Sequence, residues 1–196
     1  MKRVFDFISS LIGLIVLSPI LLIVAVAIKL HDGGPVFYLA PRVGKNGKIF
    51  KMFKFRSMVI NADKIGVSST TSSDPRITPV GRFVRKSKLD EIPQLINVLI
   101  GNMSFVGPRP EVKQFTDRFN EEEKAILKVK PGITDYASIW NSDEGKILEG
   151  YDDADAAYEK LIWPEKKRLQ LKYIKEQSFF VDIKIIFLTL VAIIKK

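Results

Sequence analysis

From Phe7 to Ile28 the chain carries no charged side chain, and the run is bracketed by Lys2, Arg3 and Asp6 before it and Lys29 after it. At about 1.5 Å per residue, some 22 helical residues reach roughly 33 Å, enough to cross a hydrocarbon core. Ala25-Val26-Ala27 resembles a signal-peptide cleavage motif. The run nevertheless exceeds the usual apolar core of about 7–15 residues, so it is read as retained. Ser18-Pro19 stands at its middle. Proline removes a helix hydrogen bond and bends the helix, and the serine hydroxyl can satisfy the carbonyl that is freed. Both flanks are basic, which draws both ends toward the cytoplasmic side. A helix that enters, breaks at Ser18-Pro19 and returns satisfies these constraints. A spanning helix stays open beside it, because proline is also common in true spanning helices.

After Gly33-Gly34-Pro35, Val36 to Tyr38 and Ile49 to Phe55 read as short extended segments joined by a hairpin turn around Lys45-Asn46-Gly47-Lys48. Ser68 to Thr78 has no apolar period and reads as a loop. Ser87 is expected to start a helix, with Asp90 at capping-pair spacing. Ile92, Leu95, Ile96 and Leu99 supply its apolar face, and Gly101-Asn102 closes it. A further helix is expected over Glu111 to Val129, ended by Pro131-Gly132. Tyr151 to Glu176 reads as helical with an interruption near Trp163-Pro164. In the tail, Ile185 to Ile194 is too short to span and suits an interfacial helix, with Lys195-Lys196 at the headgroups. The layout is a small, mostly helical domain resting on a membrane.

Charge changes this picture by its placement. Of 196 residues, 46% are hydrophobic and 27% charged, the net charge is +9, and mean hydropathy is still slightly positive. Met1 to Asp90 holds 15 cations against 5 carboxylates, a net of +10, while the remainder has a net of −1. The first half therefore faces something anionic: phosphate groups, nucleic acid or an acidic lipid surface. The absence of cysteine excludes a disulfide scaffold and a thiol nucleophile. One histidine, His31, rules out a metal site of the His or Cys kind. No Walker-type phosphate loop occurs. Chemistry must rest on carboxylates, hydroxyls and cations.

Two constellations stand out. Asp90-Glu91 is expected at a helix start just after Arg82, Arg85, Lys86 and Lys88. Carboxylates, helix N–H groups and a basic run suit a metal-bridged phosphate. The plain alternative is a capped helix with a solvated charged face. Arg109 lies between Pro108 and Pro110, which fix its backbone, and its fork of donors suits phosphate. The plain alternative there is a rigid turn with Arg109 paired to Glu111.

The order of short motifs carries more than any one of them. It runs through Lys2-Arg3 and the hairpin with Ser18-Pro19, Gly34-Pro35-Val36-Phe37, Arg42-Val43-Gly44, Lys54-Phe55-Arg56-Ser57-Met58, Asp74-Pro75-Arg76-Ile77-Thr78 and Gly81-Arg82. It continues with Leu89-Asp90-Glu91-Ile92-Pro93-Gln94, Gly107-Pro108-Arg109-Pro110-Glu111 and Lys130-Pro131-Gly132-Ile133-Thr134. Over nearly the whole chain this series resembles the bacterial sugar transferase family, the small monotopic phosphoglycosyl transferases.

The resemblance implies transfer of a sugar phosphate from a UDP-sugar to polyprenol (undecaprenyl) phosphate with release of UMP, the first membrane step of many glycan pathways. It implies a mostly α fold with a short β-hairpin, monotopic, with a re-entrant N-terminal helix and interfacial amphipathic helices. Residues 1–32 would form the membrane helix–break–helix, broken at Ser18 and Pro19. Residues 33–178 would form a catalytic domain on the cytoplasmic face of the bacterial plasma membrane, and 179–196 an interfacial helix. Asp90 would be the nucleophile, forming a phosphosugar-aspartyl intermediate. Glu91 would assist as a magnesium ligand or by handling a proton, with Asp90 and Glu91 together the Mg2+ site. Arg85, Arg109, Lys54 and Arg56 would hold phosphate oxygens. A homodimer is compatible with this reading, and nucleic acid is not an expected partner. After Gly132-Ile133-Thr134, Asp135 to Asn141 departs from the commoner family pattern, and Gln170 stands where many members carry aspartate. These departures leave the identity of the sugar open. A membrane-tethered binder of nucleic acid or acidic lipid, and a non-catalytic scaffold, are the competing classes.

Overall fold

A computed structural model describes residues 1–65, 70–71, 73–141 and 143–194. Lys195 and Lys196, and Ser68, Ser69 and Ser72 of the expected loop, lie outside the described residues. The chain is mostly helical, with a short antiparallel strand pair and one long apolar helix at its start.

That helix, α1, runs over Lys2–Asp32 and is capped by Gly33 in the left-handed region (φ 70°), whose N–H bonds the Lys29 carbonyl. Its two ends are held by the rest of the chain, and its middle is not. At one end Lys2 Nζ donates to the Val106 carbonyl, the Tyr173 hydroxyl and Asp182. Beside it Arg3 donates to the carbonyls of Val98 and Leu99, and buried Asp6 accepts from the Ser104 hydroxyl and the Phe105 N–H. At the other end Val24 and Ile28 are buried with Phe55 and Val84, and Asp32 pairs with Arg56. Between them Ile15, Val16 and Ile20 are exposed. The break expected at Ser18-Pro19 does not interrupt the helix: both residues keep helical geometry inside α1. The reason lies in one hydrogen bond. Pro19 lacks the N–H that would reach the Ile15 carbonyl, and the Ser18 hydroxyl donates to that carbonyl instead, at 2.7 Å.

Strands β1 (Phe37–Val43) and β2 (Ile49–Phe55) form the expected hairpin, pairing Phe37 with Phe55 and Val43 with Ile49. Asn46 and Gly47 both take positive φ at the turn, as an Asn-Gly pair readily does. Helix α2 (Pro79–Lys86) begins at Thr78, whose hydroxyl accepts the Gly81 N–H. Ser87 ends this helix instead of starting the next: its N–H bonds the Phe83 carbonyl, and its hydroxyl bonds the Phe83 and Val84 carbonyls. Lys88 then turns the chain with φ 58°, a 3-10 turn covers Leu89–Glu91, and α3 (Gln94–Ile100) follows. Gly101 caps α3 in the left-handed region as its position implies.

The apolar periodicity of α3 missed its most buried positions, since Gln94 and Asn97 are fully enclosed. Asn97 stitches α3 to β2: its Oδ1 accepts the Phe53 N–H and its Nδ2 donates to the Lys51 carbonyl, both at 2.8 Å. A second, parallel pair, β3 (Ser104–Val106) with β4 (Gly132–Thr134), was not foreseen. Its strands are too short to show alternation. Past β3, Gly107 and Gly132 touch through bare backbone, and a Cβ on Gly132 would fall 2.1 Å from the Gly107 nitrogen.

The single helix expected over Glu111 to Val129 is replaced by α4 (Lys113–Thr116) and a 3-10 turn over Glu123–Lys128. A reciprocal cap divides them: Asn120 Oδ1 accepts the Glu123 N–H, and Glu123 accepts the Asn120 N–H. Helices α5 (Tyr136–Trp140), α6 (Glu144–Ile147), α7 (Ala154–Leu161) and α8 (Trp163–Glu176) complete the domain, with the expected interruption at Trp163-Pro164. Phe115, Phe119, Tyr158 and Trp163 form an aromatic core among them. The tail forms α9 (Phe179–Ile194), which packs Ile185 inward and leaves Phe180, Phe187, Leu190 and Ile193 exposed.

Replacing Asn97 with alanine strips a donor and an acceptor from the β2 backbone. Asn97→Ala is expected to lower unfolding free energy by about 2 kcal/mol or more, read by denaturant titration of the detergent-solubilised chain.

Candidate active site

Three separate pieces of backbone meet at Glu91. The turn between α2 and α3 presents Asp90 and Glu91, β2 presents Lys54, and the loop after β3 presents Arg109. Lys54 Nζ donates to Glu91 Oε1 at 2.9 Å. Arg109 grips the same carboxylate with both arms of its fork, Nη1 reaching Oε2 at 3.1 Å and Nη2 reaching Oε1. Lys54, Glu91 and Arg109 keep 20–24% of their side-chain surface open, so the cluster is enclosed yet reachable by a ligand. Arg109 thus pairs with Glu91, and the pairing with Glu111 that the sequence also allowed does not form. Glu111 binds Lys166 instead, at 2.6 Å.

The two neighbouring carboxyls are driven apart in acidity. Burial raises Glu91, but Arg109 and then Lys54 outweigh it and hold its carboxyl well below the usual range. Burial first and the Glu91 charge second push Asp90 up, against the opposing charges of Lys54, Arg85 and Lys88. Among the described residues the Asp90 carboxylate makes no ion pair or hydrogen bond. The result is one locked carboxylate beside one free carboxyl.

The other expected phosphate ligands divide. Arg85 is half-buried, and its charge acts on Asp90. Arg56 is not at the site: it is buried against α1, where Asp32 takes its fork at 2.7 and 2.5 Å under the bare backbone of Gly34. Arg82 and Lys86 are exposed, as is His31.

Behind Arg109 lies a support that periodicity did not reveal. Fully buried Asp135 accepts the Arg109 N–H at 3.2 Å, and buried Gln170 donates to the Arg109 carbonyl at 3.2 Å. Asp135 also caps α5, accepting from the Ser138 N–H and hydroxyl. Its cap spacing to Ser138 was the one available signal. One turn from Gln170 on α8, buried Lys166 holds Glu111, Glu144 at 3.0 Å and the Tyr158 hydroxyl at 2.9 Å. One face of α8 therefore fixes the Arg109 loop at two points. Asp135 and Gln170 lie where the sequence departs from its resemblance and act on the Arg109 backbone, while Lys166 acts through Glu111.

Among the described residues no cluster of three or more His, Cys, Asp or Glu side chains gathers to hold a metal ion unaided. Both Glu91 oxygens are engaged, which leaves Asp90 as the carboxylate open to a cation. Magnesium commonly takes only one or two carboxylates and completes its shell with substrate phosphate and water, so the residues fit such an ion when it arrives with a phosphate.

Removing the carboxylate of Asp135 orphans the Arg109 N–H and uncaps α5. Asp135→Ala is expected to cost about 2 kcal/mol of stability, measured by chemical denaturation.

Comparison of the sequence with known proteins finds relatives over nearly its whole length. The chain is 41% identical over 196 residues to the undecaprenyl-phosphate glucose phosphotransferase of Komagataeibacter xylinus, covering 96% of this chain and 35% of that one. It is 40% identical over 193 residues to the UDP-glucose:undecaprenyl-phosphate glucose-1-phosphate transferase of Escherichia coli K12, covering 96% and 39%. It is 38% identical over 193 residues to the UDP-N-acetylgalactosamine-undecaprenyl-phosphate N-acetylgalactosaminephosphotransferase of Aeromonas hydrophila, covering 96% and 42%. The chain thus spans about two fifths of the length of these relatives. All of its residues, 1–196, match the family described as bacterial sugar transferase, and the chain belongs to that family.

Proposed function

We propose that this chain moves a sugar 1-phosphate from a UDP-sugar to a polyprenol phosphate of the undecaprenyl type and releases UMP. The observation that carries this reading is the free Asp90 carboxyl beside a carboxylate that holds Arg109 and Lys54 in place. Relatives named for transfer to undecaprenyl phosphate support the same chemistry.

The reaction runs in two displacements at one phosphorus. An Asp90 oxygen attacks the sugar-bearing phosphorus of the UDP-sugar. The bond from that phosphorus to the bridging oxygen breaks, and its electron pair leaves with UMP. A phosphate oxygen of the polyprenol phosphate then attacks the phosphosugar-aspartyl intermediate, the bond to Asp90 breaks, and the carboxylate is restored. Splitting the transfer lets the soluble product leave before the lipid acceptor reacts. A carboxylate approaching a diphosphate meets like charge, and Arg109, Lys54 and Arg85 offset it. Magnesium, which Asp90 would hold together with substrate phosphate while Glu91 stays committed to Arg109 and Lys54, would supply additional neutralisation of phosphate charge. Glu91 holds both cations toward the reacting centre.

The membrane reading rests on α1. Its two ends are fastened to one folded domain, and a helix crossing a bilayer would place them on opposite faces. A helix that bends at Pro19 while keeping its hydrogen-bonded turns, and so dips into one leaflet and returns, would meet both attachments, with exposed Ile15, Val16 and Ile20 in lipid. The exposed apolar side of α9 suits the same interface. Basic residues at both ends of α1 favour the cytoplasmic leaflet, where the polyprenol phosphate headgroup would meet Asp90.

Asp90→Asn is expected to reduce UMP release from a panel of UDP-sugars to background, with folding retained by circular dichroism; full turnover by this variant would sink the mechanism. The topology has its own readout, and the natural absence of cysteine makes it clean. Single cysteines placed just before Lys2 and at Asn46 should both react with an impermeant maleimide from the cytoplasmic side only. Periplasmic labelling of the first would show a spanning helix.

A further inference from the structure

The cations that face the candidate site are not equally committed. Arg109 and Lys54 are both neutralised by Glu91, and Lys166 by Glu111 and Glu144. Arg42 is different. It is half-buried, and among the described residues its guanidinium makes one hydrogen bond, to the adjacent Pro41 carbonyl at 2.9 Å, and no ion pair.

Strand geometry brings this guanidinium to the site. Tyr38 pairs with Lys54 and Arg42 with Phe50, so Arg42 and Lys54 project from the same face of the hairpin. Next to Arg42, the Val43 N–H bonds the Glu111 carbonyl at 2.9 Å, which joins the end of β1 to the loop that carries Arg109. Its cross-strand neighbour Phe50 packs toward Gly44, with its ring 3.1 Å from where a Gly44 Cβ would stand, so that ring is turned to another contact. Burial lowers the pKa of Arg42, and the charges of Glu111, Tyr38, Arg109 and Glu91 all act on it. An enclosed cation without a counter-ion is costly unless an anion completes its surroundings.

The geometry points to Arg42 as a further phosphate-binding residue of this site, one whose donors, like those of the already expected Arg85, are not taken up by a carboxylate among the described residues. Arg109 and Lys54 must share their donors with Glu91 or release it, whereas among the described residues no carboxylate competes for Arg42. This inference rests on the proposed transfer reaction and deepens it. The phosphate has two possible sources, the diphosphate of the nucleotide sugar and the headgroup of the polyprenol phosphate.

The test separates them by half-reaction, using the full chain in nanodiscs with a UDP-sugar that the wild type accepts. Without polyprenol phosphate the wild type should release a burst of UMP as the aspartyl intermediate forms, and with the acceptor it should turn over. Arg42→Gln is expected to slow one of these by about tenfold to a hundredfold, the loss typical of a charged hydrogen bond. A slowed burst with a raised KM for the UDP-sugar assigns the nucleotide diphosphate. An intact burst with slowed turnover and a raised KM for the acceptor assigns the prenyl phosphate. Arg42→Lys should recover part of the loss, and the thermal unfolding midpoint of both variants should match the wild type. If Arg42→Gln equals the wild type in both half-reactions, or if its whole loss follows a lowered unfolding midpoint, the inference is overturned. Absence of any UMP release by the wild type, with every UDP-sugar tried, would overturn the proposed reaction itself and is read separately from the variants.

Discussion

The carboxylate of Glu91 is the point on which the candidate site depends. It receives a lysine from the hairpin and an arginine from the loop after β3, so it joins three backbone segments that are 37 and 18 residues away from, or contain, the turn at 89–91. Two cations sharing one anion in a half-enclosed place hold each other at fixed separation, which is what a diphosphate requires of its receptors. Among the described residues the same pairing leaves Asp90 with no partner of its own, the freedom that the proposed nucleophile needs. Locking one carboxylate and leaving its neighbour open gives adjacent residues of similar chemistry different tasks.

Other features serve to keep that arrangement rigid. The loop of Arg109 is short and proline-bound, and it is held by Asp135 and Gln170 through its own peptide groups and by Lys166 through Glu111. The contact between Gly107 and Gly132 lets β3 and β4 meet immediately before that loop. The start of α1 fastens to β3 through Lys2 and Asp6, so the apolar helix and the Arg109 loop share one short strand as their base. Placement of the apolar helix and placement of the candidate site are therefore mechanically linked.

The sequence made much of this legible, with failures of a consistent kind. The apolar run, the hairpin with its Asn-Gly turn, the Gly101 cap and the division at Trp163-Pro164 are local features, set by side-chain polarity and backbone preference within a few residues. The helix boundary at Ser87 was misjudged because a serine hydroxyl can serve an N-terminus or fold back on the preceding carbonyls, and the left-handed turn at Lys88 selects the second. The extended helix over Glu111 to Val129 was misjudged because the cap between Asn120 and Glu123 competes with helix continuation. Arg56 was expected at the site from the family resemblance, but Asp32 at the end of α1 captures it.

By itself, then, the sequence determined the family, the long apolar element, the hairpin and the residue types available for phosphate chemistry, because these depend on composition and short-range order. Only the tertiary structure decided which charges meet. That Arg109 chooses Glu91 over Glu111, nearer in sequence, that Arg56 is withdrawn and Arg42 left unpaired among the described residues, and that Asp135 and Gln170 stand behind the loop all follow from long-range packing. An ion pair is specified by where two backbones bring their side chains, and a one-dimensional pattern does not carry that distance.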